Sequence, residues 1–140
     1  MVTEIREFKS VNELIDHINH EINNITVTIE SYMKKINEIK DKIEKLNKIS
    51  DYLTKVLGKR PETISPQEVN FMGLKIIINP SLKQELEVFE DIIKKLNDKL
   101  IALQKIRKAI ESLGLSEYEE LELKVVIIDE LPVKLMIKLE

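Results

Sequence analysis

Two histidines, His17 and His20, lie three residues apart with Glu13, Asp16 and Glu21 close by. On a helix this spacing sets both rings on neighbouring turns, as a transition-metal site needs. Glu117, Glu119, Glu120 and Glu122 form an acidic run of the kind that attracts Ca²⁺ or Mg²⁺. Lys55, Lys59 and Arg60 make a small basic cluster able to meet phosphate. Each has a plainer reading. The heptad count turns both histidines away from the apolar seam, as a solvated pair. The acidic run lacks the turn glycine of an EF-hand loop and reads as a solvated strand entry. Cations near the end of a helix are favourable against its dipole without any ligand. There is no phosphate-cradling glycine loop, and no Ser or Asp nucleophile stands in a catalytic motif. The expectation is a protein that is not an enzyme and needs no metal or cofactor.

Composition points the same way. Apolar residues make up 43% and charged residues 34%, which is too apolar for a disordered chain. Aromatics are only 4% with no Trp, so the core must be aliphatic. Abundant Ile, Lys and Glu without Cys is a composition common in thermophiles. Lack of Cys removes disulfides and thiolate chemistry together. A net charge of -3 offers no broad positive field, which makes nucleic acid a poor partner. Met1 to Ser10 has no signal-peptide core, and no run approaches the ~20 apolar residues of a membrane span. A cytoplasmic location is expected.

Two heptad ladders dominate the pattern. The first is Val11, Ile15, Ile18, Ile22, Ile25, Ile29, Tyr32, Ile36, Ile39, Ile43, Leu46, Ser50, Leu53 and Leu57. The second is Leu82, Leu86, Phe89, Ile93, Leu96, Leu100, Leu103, Arg107 and Ile110. Steps of three and four keep one side of each helix facing one partner. Ser10 with Glu13 is a capping-box pattern. The second helix has two candidate starts, Asn79 with Pro80 at the first position, or Ser81 with Gln84. Gly58 and Gly114 suit left-handed caps. Pairs such as Glu44–Lys48 and Asp51–Lys55 place acid four residues before base on the solvated faces.

Folding the chain so that paired residue numbers sum to 139 sets the ladders against each other. Tyr32 then meets Arg107 and small Ser50 meets large Phe89, two layers that read as a register lock. This register leaves Val11 to Ile25 beyond the end of the second helix. Leu121, Leu123, Val125 and Ile127 alternate on one strand face, and Val133, Leu135, Ile137 and Leu139 do so after a turn over Asp129–Pro132. That hairpin can cover the overhang, with Val2 to Phe8 as a third strand. Val126, Ile128 and Met136 remain on its outward face.

The fold expected is α+β, mostly α. It is a long antiparallel two-helix coiled-coil hairpin with a short β element at the helix–helix connection. A C-terminal β-hairpin packs on the N-terminal overhang of helix 1. All lies in one elongated domain over 1–140: helix 1 about 11–57, a connection with a strand in 58–80, helix 2 about 81–113 and the C-terminal hairpin about 119–139. The strand in the connection, Leu74 to Ile78, has no evident partner in the chain, because Glu62 to Asn70 is weakly patterned. An unpaired edge invites a second chain. Met33, Ile49, Val56, Ile92 and Ile106 widen the apolar stripe beyond what two helices bury. Both features predict a homo-oligomer, with a dimer favoured by closed symmetry.

Val69 to Ile78 followed by a heptad helix resembles the strand-then-helix passage of a prefoldin β-type subunit. The order helix, β insertion, helix over residues 11–113 is similar to that family as well. The resemblance implies a chaperone-type coiled-coil hairpin whose inserted strands join those of other subunits and whose free helix tips hold unfolded clients. The strands expected at 119–139 depart from it by closing that end. The function expected is a coiled-coil interaction or assembly scaffold. Its contacts would be Leu74, Ile76 and Ile78 at one end and Val126, Ile128 and Met136 at the other. The alternative is a small nucleic-acid-associated regulator that binds through the Lys55–Arg60 tip.

Overall fold

A computed structural model describes residues 3–61, 65–118 and 120–139. Val2, Glu62 and Glu119, all named above, lie outside the described residues. The chain is α+β and mostly helical. In order it has β1 (Thr3–Phe8), α1 (Val11–Leu57), β2 (Gln67–Phe71), β3 (Leu74–Ile78), α2 (Leu82–Ser112), β4 (Glu122–Ile128) and β5 (Leu131–Lys138). It divides into two compact units, Met1–Glu30 with Lys94–Glu140, and Ser31–Ile93.

Local chemistry explains where the helices start and stop. The Glu13 amide donates to Ser10 Oγ at 3.1 Å, while the Glu13 carboxylate reaches one residue further back and accepts from the Lys9 amide at 3.4 Å. At α2 the box is reciprocal: the Gln84 amide donates to Ser81 Oγ at 3.1 Å and the Ser81 amide to Gln84 Oε1 at 3.0 Å. Of the two starts open to α2, Ser81 is the cap, and Asn79 instead takes a left-handed φ of 53° ahead of it. Gly58 ends α1 with φ 75°, its amide donating to the Thr54 carbonyl at 2.9 Å.

The first unit is built on a three-stranded antiparallel sheet in the order β1-β4-β5. Central β4 buries every second residue: Leu123, Val125 and Ile127 are at most 2% exposed. They share one core with Phe8, Val11, Leu14, Ile18 and Ile25, and with Leu103 and Ile110 of α2. That α2 reaches this core corrects the expected register. Arg107 Nη1 donates to Asn19 Oδ1 at 2.8 Å, and Asn12 Nδ2 donates to the Ser116 carbonyl at 3.3 Å. Arg107 was expected level with Tyr32; it sits level with Asn19, a displacement of about two heptads. Regular aliphatic ladders fit equally well after a seven-residue slip, and the slip lets the sheet and α2 seal the same end of α1. Arg107 is half-exposed and finds an amide oxygen at the flank, so no charge is buried in the seam.

The C-terminal hairpin has a tighter turn than expected. Asp129 and Glu130 both have positive φ (52° and 68°), a two-residue turn of the primed type. Pro132 lies inside β5 opposite Ile127, while Val126 pairs with Lys134. Val133 is therefore an extra residue in a bulge and is exposed, where it was expected on the inner face. Pro is tolerated there because β5 is an edge strand. Lys99 Nζ of α2 holds the turn through Asp129 (3.4 Å) and Glu130 (3.3 Å).

In the second unit the connection forms its own antiparallel hairpin. β2 pairs β3, with Gln67 opposite Ile78, Val69 opposite Ile76 and Phe71 opposite Leu74. The strand at 74–78 thus has a partner within the chain, which corrects the expectation of an unpaired strand. Met72 and Gly73, with φ of 51° and 83°, make its two-residue turn. Ile36 and Ile39 are buried here, and the Tyr32 ring meets Phe89 with centroids 5.6 Å apart. Phe89 thus packs on Tyr32, where Ser50 was expected.

Candidate interaction surfaces

Residues opposite one another in an antiparallel pair point to the same face. Val69, Phe71, Leu74, Ile76 and Ile78 therefore share one face of the β2–β3 hairpin with Gln67. All five apolar side chains are exposed, from 37% at Ile76 to 64% at Leu74. The other face carries Glu68, Asn70, Lys75 and Ile77. Lys75 and Glu68 form an ion pair at 3.5 Å, and Ile77 lines a groove with Ile39 and Lys42 of α1 and with Pro80 and Phe89. The hairpin thus turns its polar face and one isoleucine toward the helices and its apolar face away from them. A two-stranded hairpin is marginal by itself in water, so a face this apolar lacks a cover. The expected contacts Leu74, Ile76 and Ile78 are three of its five members. Val69 and Phe71 were missed, because their alternation matters only once β2 is seen to pair with β3.

The distal part of α1 is equally bare. Leu46, Ile49, Tyr52, Val56 and Leu57 are between 55% and 66% exposed. The cause is where α2 begins. Gln84, Glu85, Val88 and Phe89, in its first two turns, line one groove with Lys35, Glu38, Ile39 and Lys42. α1 continues four turns past that point while its ladder keeps the same spacing. This seam was expected to be filled by Leu82 and Leu86; Leu46 and Leu57 are instead exposed, and Ser50 and Leu53 are half-buried.

At the three-stranded sheet, Val126 and Ile128 are half-buried and Met136 is exposed. Ile5, opposite Val126 on β1, adds an exposed side chain to this outward face. Charges interrupt it: Lys124 lies between Glu7 and Met136 in the pairing, and its Nζ is 3.9 Å from the Glu7 carboxylate. The bulge, Pro132, Lys134 and Lys138 guard the β5 edge against strand addition.

The polar clusters resolve more simply. The His17 ring packs at 5.6 Å from Phe8, and the Arg6 guanidinium donates to His17 Nδ1 at 3.4 Å while lying over the Phe8 ring. Partial burial and then the Arg6 charge lower the His17 pKa, against weaker opposing effects of Glu21 and Glu4. Both causes favour the neutral ring. Among the described residues no group of three His, Asp or Glu is placed to hold a metal ion. Arg60 of the basic tip is paired with Asp51 at 3.4 Å, and Glu122 of the acidic run with Lys138 at 3.9 Å. Among the described residues no helix is long and apolar enough to cross a membrane. Comparison with family models, curated proteins and solved structures finds no match to this chain.

Proposed function

We propose that this protein is a non-enzymatic assembly scaffold that associates with copies of itself. Its two helices act as an antiparallel coiled-coil hairpin, and the β2–β3 hairpin is its adhesive element. One observation carries the reading: five apolar side chains share a single exposed face of a two-stranded hairpin. Soluble monomers rarely leave so contiguous an apolar surface open, because association buries it at roughly 25 cal/mol per Å². The proposal follows prefoldin-type topology only in its order of elements. Client holding at free helix tips is not part of it, because the ends of α1 and α2 in the first unit are occupied by the sheet.

Sedimentation velocity on the full chain across the micromolar range tests the proposal. The expected outcome is a species of at least twice the 16.3 kDa chain mass. A monomer at every concentration refutes it.

A further inference from the structure

We infer that β1 pairs with β1 of a second copy of this chain, antiparallel about a twofold axis at Ile5, so that two three-stranded sheets become one. This contact belongs to the first compact unit and goes beyond the hairpin face of the second. β1 is an edge strand, and among the described residues no backbone hydrogen bond links Thr3–Phe8 to anything but β4. The two edges of the sheet differ. β5 carries the bulge, Pro132, Lys134 and Lys138, which hinder pairing. β1 contains no proline and pairs with β4 without a break along its length. Thr3 to Glu7 are all exposed.

The hydrogen-bonding phase of the sheet selects the register. The two-residue turn at Asp129 and Glu130 makes Ile128 and Leu131 a hydrogen-bonded pair. Alternation along β4 then turns the backbone groups of Leu123, Val125 and Ile127 toward β1, opposite Phe8, Arg6 and Glu4. The backbone groups of Thr3, Ile5 and Glu7 therefore point to the free edge. With Ile5 opposite its own copy, Thr3 falls opposite the second copy's Glu7, so residues with free groups meet each other. Glu4 falls opposite the second copy's Arg6, and Arg6 opposite its Glu4, at the non-hydrogen-bonded positions where side chains lie closest. Among the described residues neither forms an ion pair within the chain; Arg6 instead meets the His17 ring at 3.4 Å and lies over Phe8. Charges on an edge strand guard it against an arbitrary strand, which leaves them unmatched. A second copy matches both, twice over, so the same residues exclude other chains and admit this one. Ile5, 64% exposed, meets its own copy at the axis and continues the outward row that begins at Val126. Strand addition draws its affinity from main-chain hydrogen bonds, so the contact does not depend on a broad apolar area.

The chain has no cysteine, so an introduced thiol reports without background. Cα atoms of a hydrogen-bonded antiparallel pair lie about 5.5 Å apart, within the span of a disulfide. Ile5→Cys chains should therefore oxidise to a disulfide-linked dimer. Adding Glu4→Arg sets two arginines against two arginines across the junction, and adding Arg6→Glu instead sets glutamates against glutamates. Each should lose the linked dimer while keeping the circular dichroism of the parent. Mixed together, these two variants present opposite charges at every such position and should link to each other, as should the double reversal Glu4→Arg/Arg6→Glu to itself. Leu74→Ser in the Ile5→Cys chain should leave the linkage unchanged. No linkage of Ile5→Cys, linkage indifferent to either reversal, or a mixture that links no better than its components overturns the arrangement and leaves the self-assembly reading standing. Linkage lost with Leu74→Ser also overturns it, by assigning the contact to the hairpin face. A parent chain that is monomeric at every concentration overturns both.

Discussion

Leu74→Ser separates a surface used for assembly from one used for folding. Leu74 is 64% exposed, so within one chain it has little packing to lose and the unfolding free energy should change by less than ~0.5 kcal/mol. In an assembly the remaining two-thirds of the side chain is buried. Full burial of a leucine is worth about 1.5–3 kcal/mol, so this share is about 1–2 kcal/mol per copy. A twofold dimer loses it twice, about 2–4 kcal/mol. At 1.4 kcal/mol per decade that raises the dissociation constant by roughly 30-fold to 1,000-fold. Sedimentation velocity over a concentration series reads the constant directly, with urea denaturation at a concentration where the variant is monomeric as the control. An unchanged dissociation constant would refute the claim that the hairpin face is covered by a second copy. A large loss of stability in the monomer would show instead that Leu74 belongs to the chain's own core.

Three further outcomes follow from the same contacts. Leu123→Ala, at a side chain with no exposure at the centre of the sheet, should lower the unfolding free energy by about 2–5 kcal/mol in urea while leaving the assembly state intact. Ser81→Ala removes the acceptor for the Gln84 amide and should cost about 1 kcal/mol, read as a lower denaturation midpoint with an unchanged slope. His17 has a folded-state pKa below its ordinary 6.5, so on acidification the unfolded chain takes up its proton first and stability falls as pH drops through and below that value. His17→Gln should flatten this dependence, measured as the difference between parent and variant in denaturation at pH 7.5 and near pH 5. A parallel decline in both proteins would remove His17 as the cause.

The helices and their ends were legible in the sequence because the forces that set them are local. Heptad spacing defines a helical face without knowledge of its partner, and Ser81–Gln84 and Gly58 act within one turn of the chain. The strands of the C-terminal hairpin were legible for a similar reason, since alternation over Leu123, Val125 and Ile127 needs only one apolar neighbour. Register was not local. Aliphatic ladders of Ile and Leu gain nearly the same energy after a slip of seven residues, and only packing of Leu103 and Ile110 with Val11, Leu14 and β4 chooses among the registers. Tyr32 and Arg107 could not serve as a lock, because each found a different partner, Phe89 and Asn19. The β2 strand was equally hidden, since Gln-Glu-Val-Asn-Phe has only two apolar members and they matter once Ile76 and Leu74 lie opposite them.

The candidate site depended on the same choice. The sequence alone determined that this chain carries more apolar helix surface than two helices can bury, since Ile49 and Val56 stand beside a complete ladder. It placed the candidate contacts at two β-bearing ends and left Val11 to Ile25 as the overhang to be covered. Only the tertiary structure decided which stretch stays open. It sealed the first turns of α1 with the sheet and α2, and it left Leu46, Ile49, Tyr52, Val56 and Leu57 exposed. The physical reason is that a binding surface is the apolar area a chain offers less the area it covers itself. The first term is a sum over residues, whereas the second depends on register, which nearly equivalent heptads leave to the whole fold.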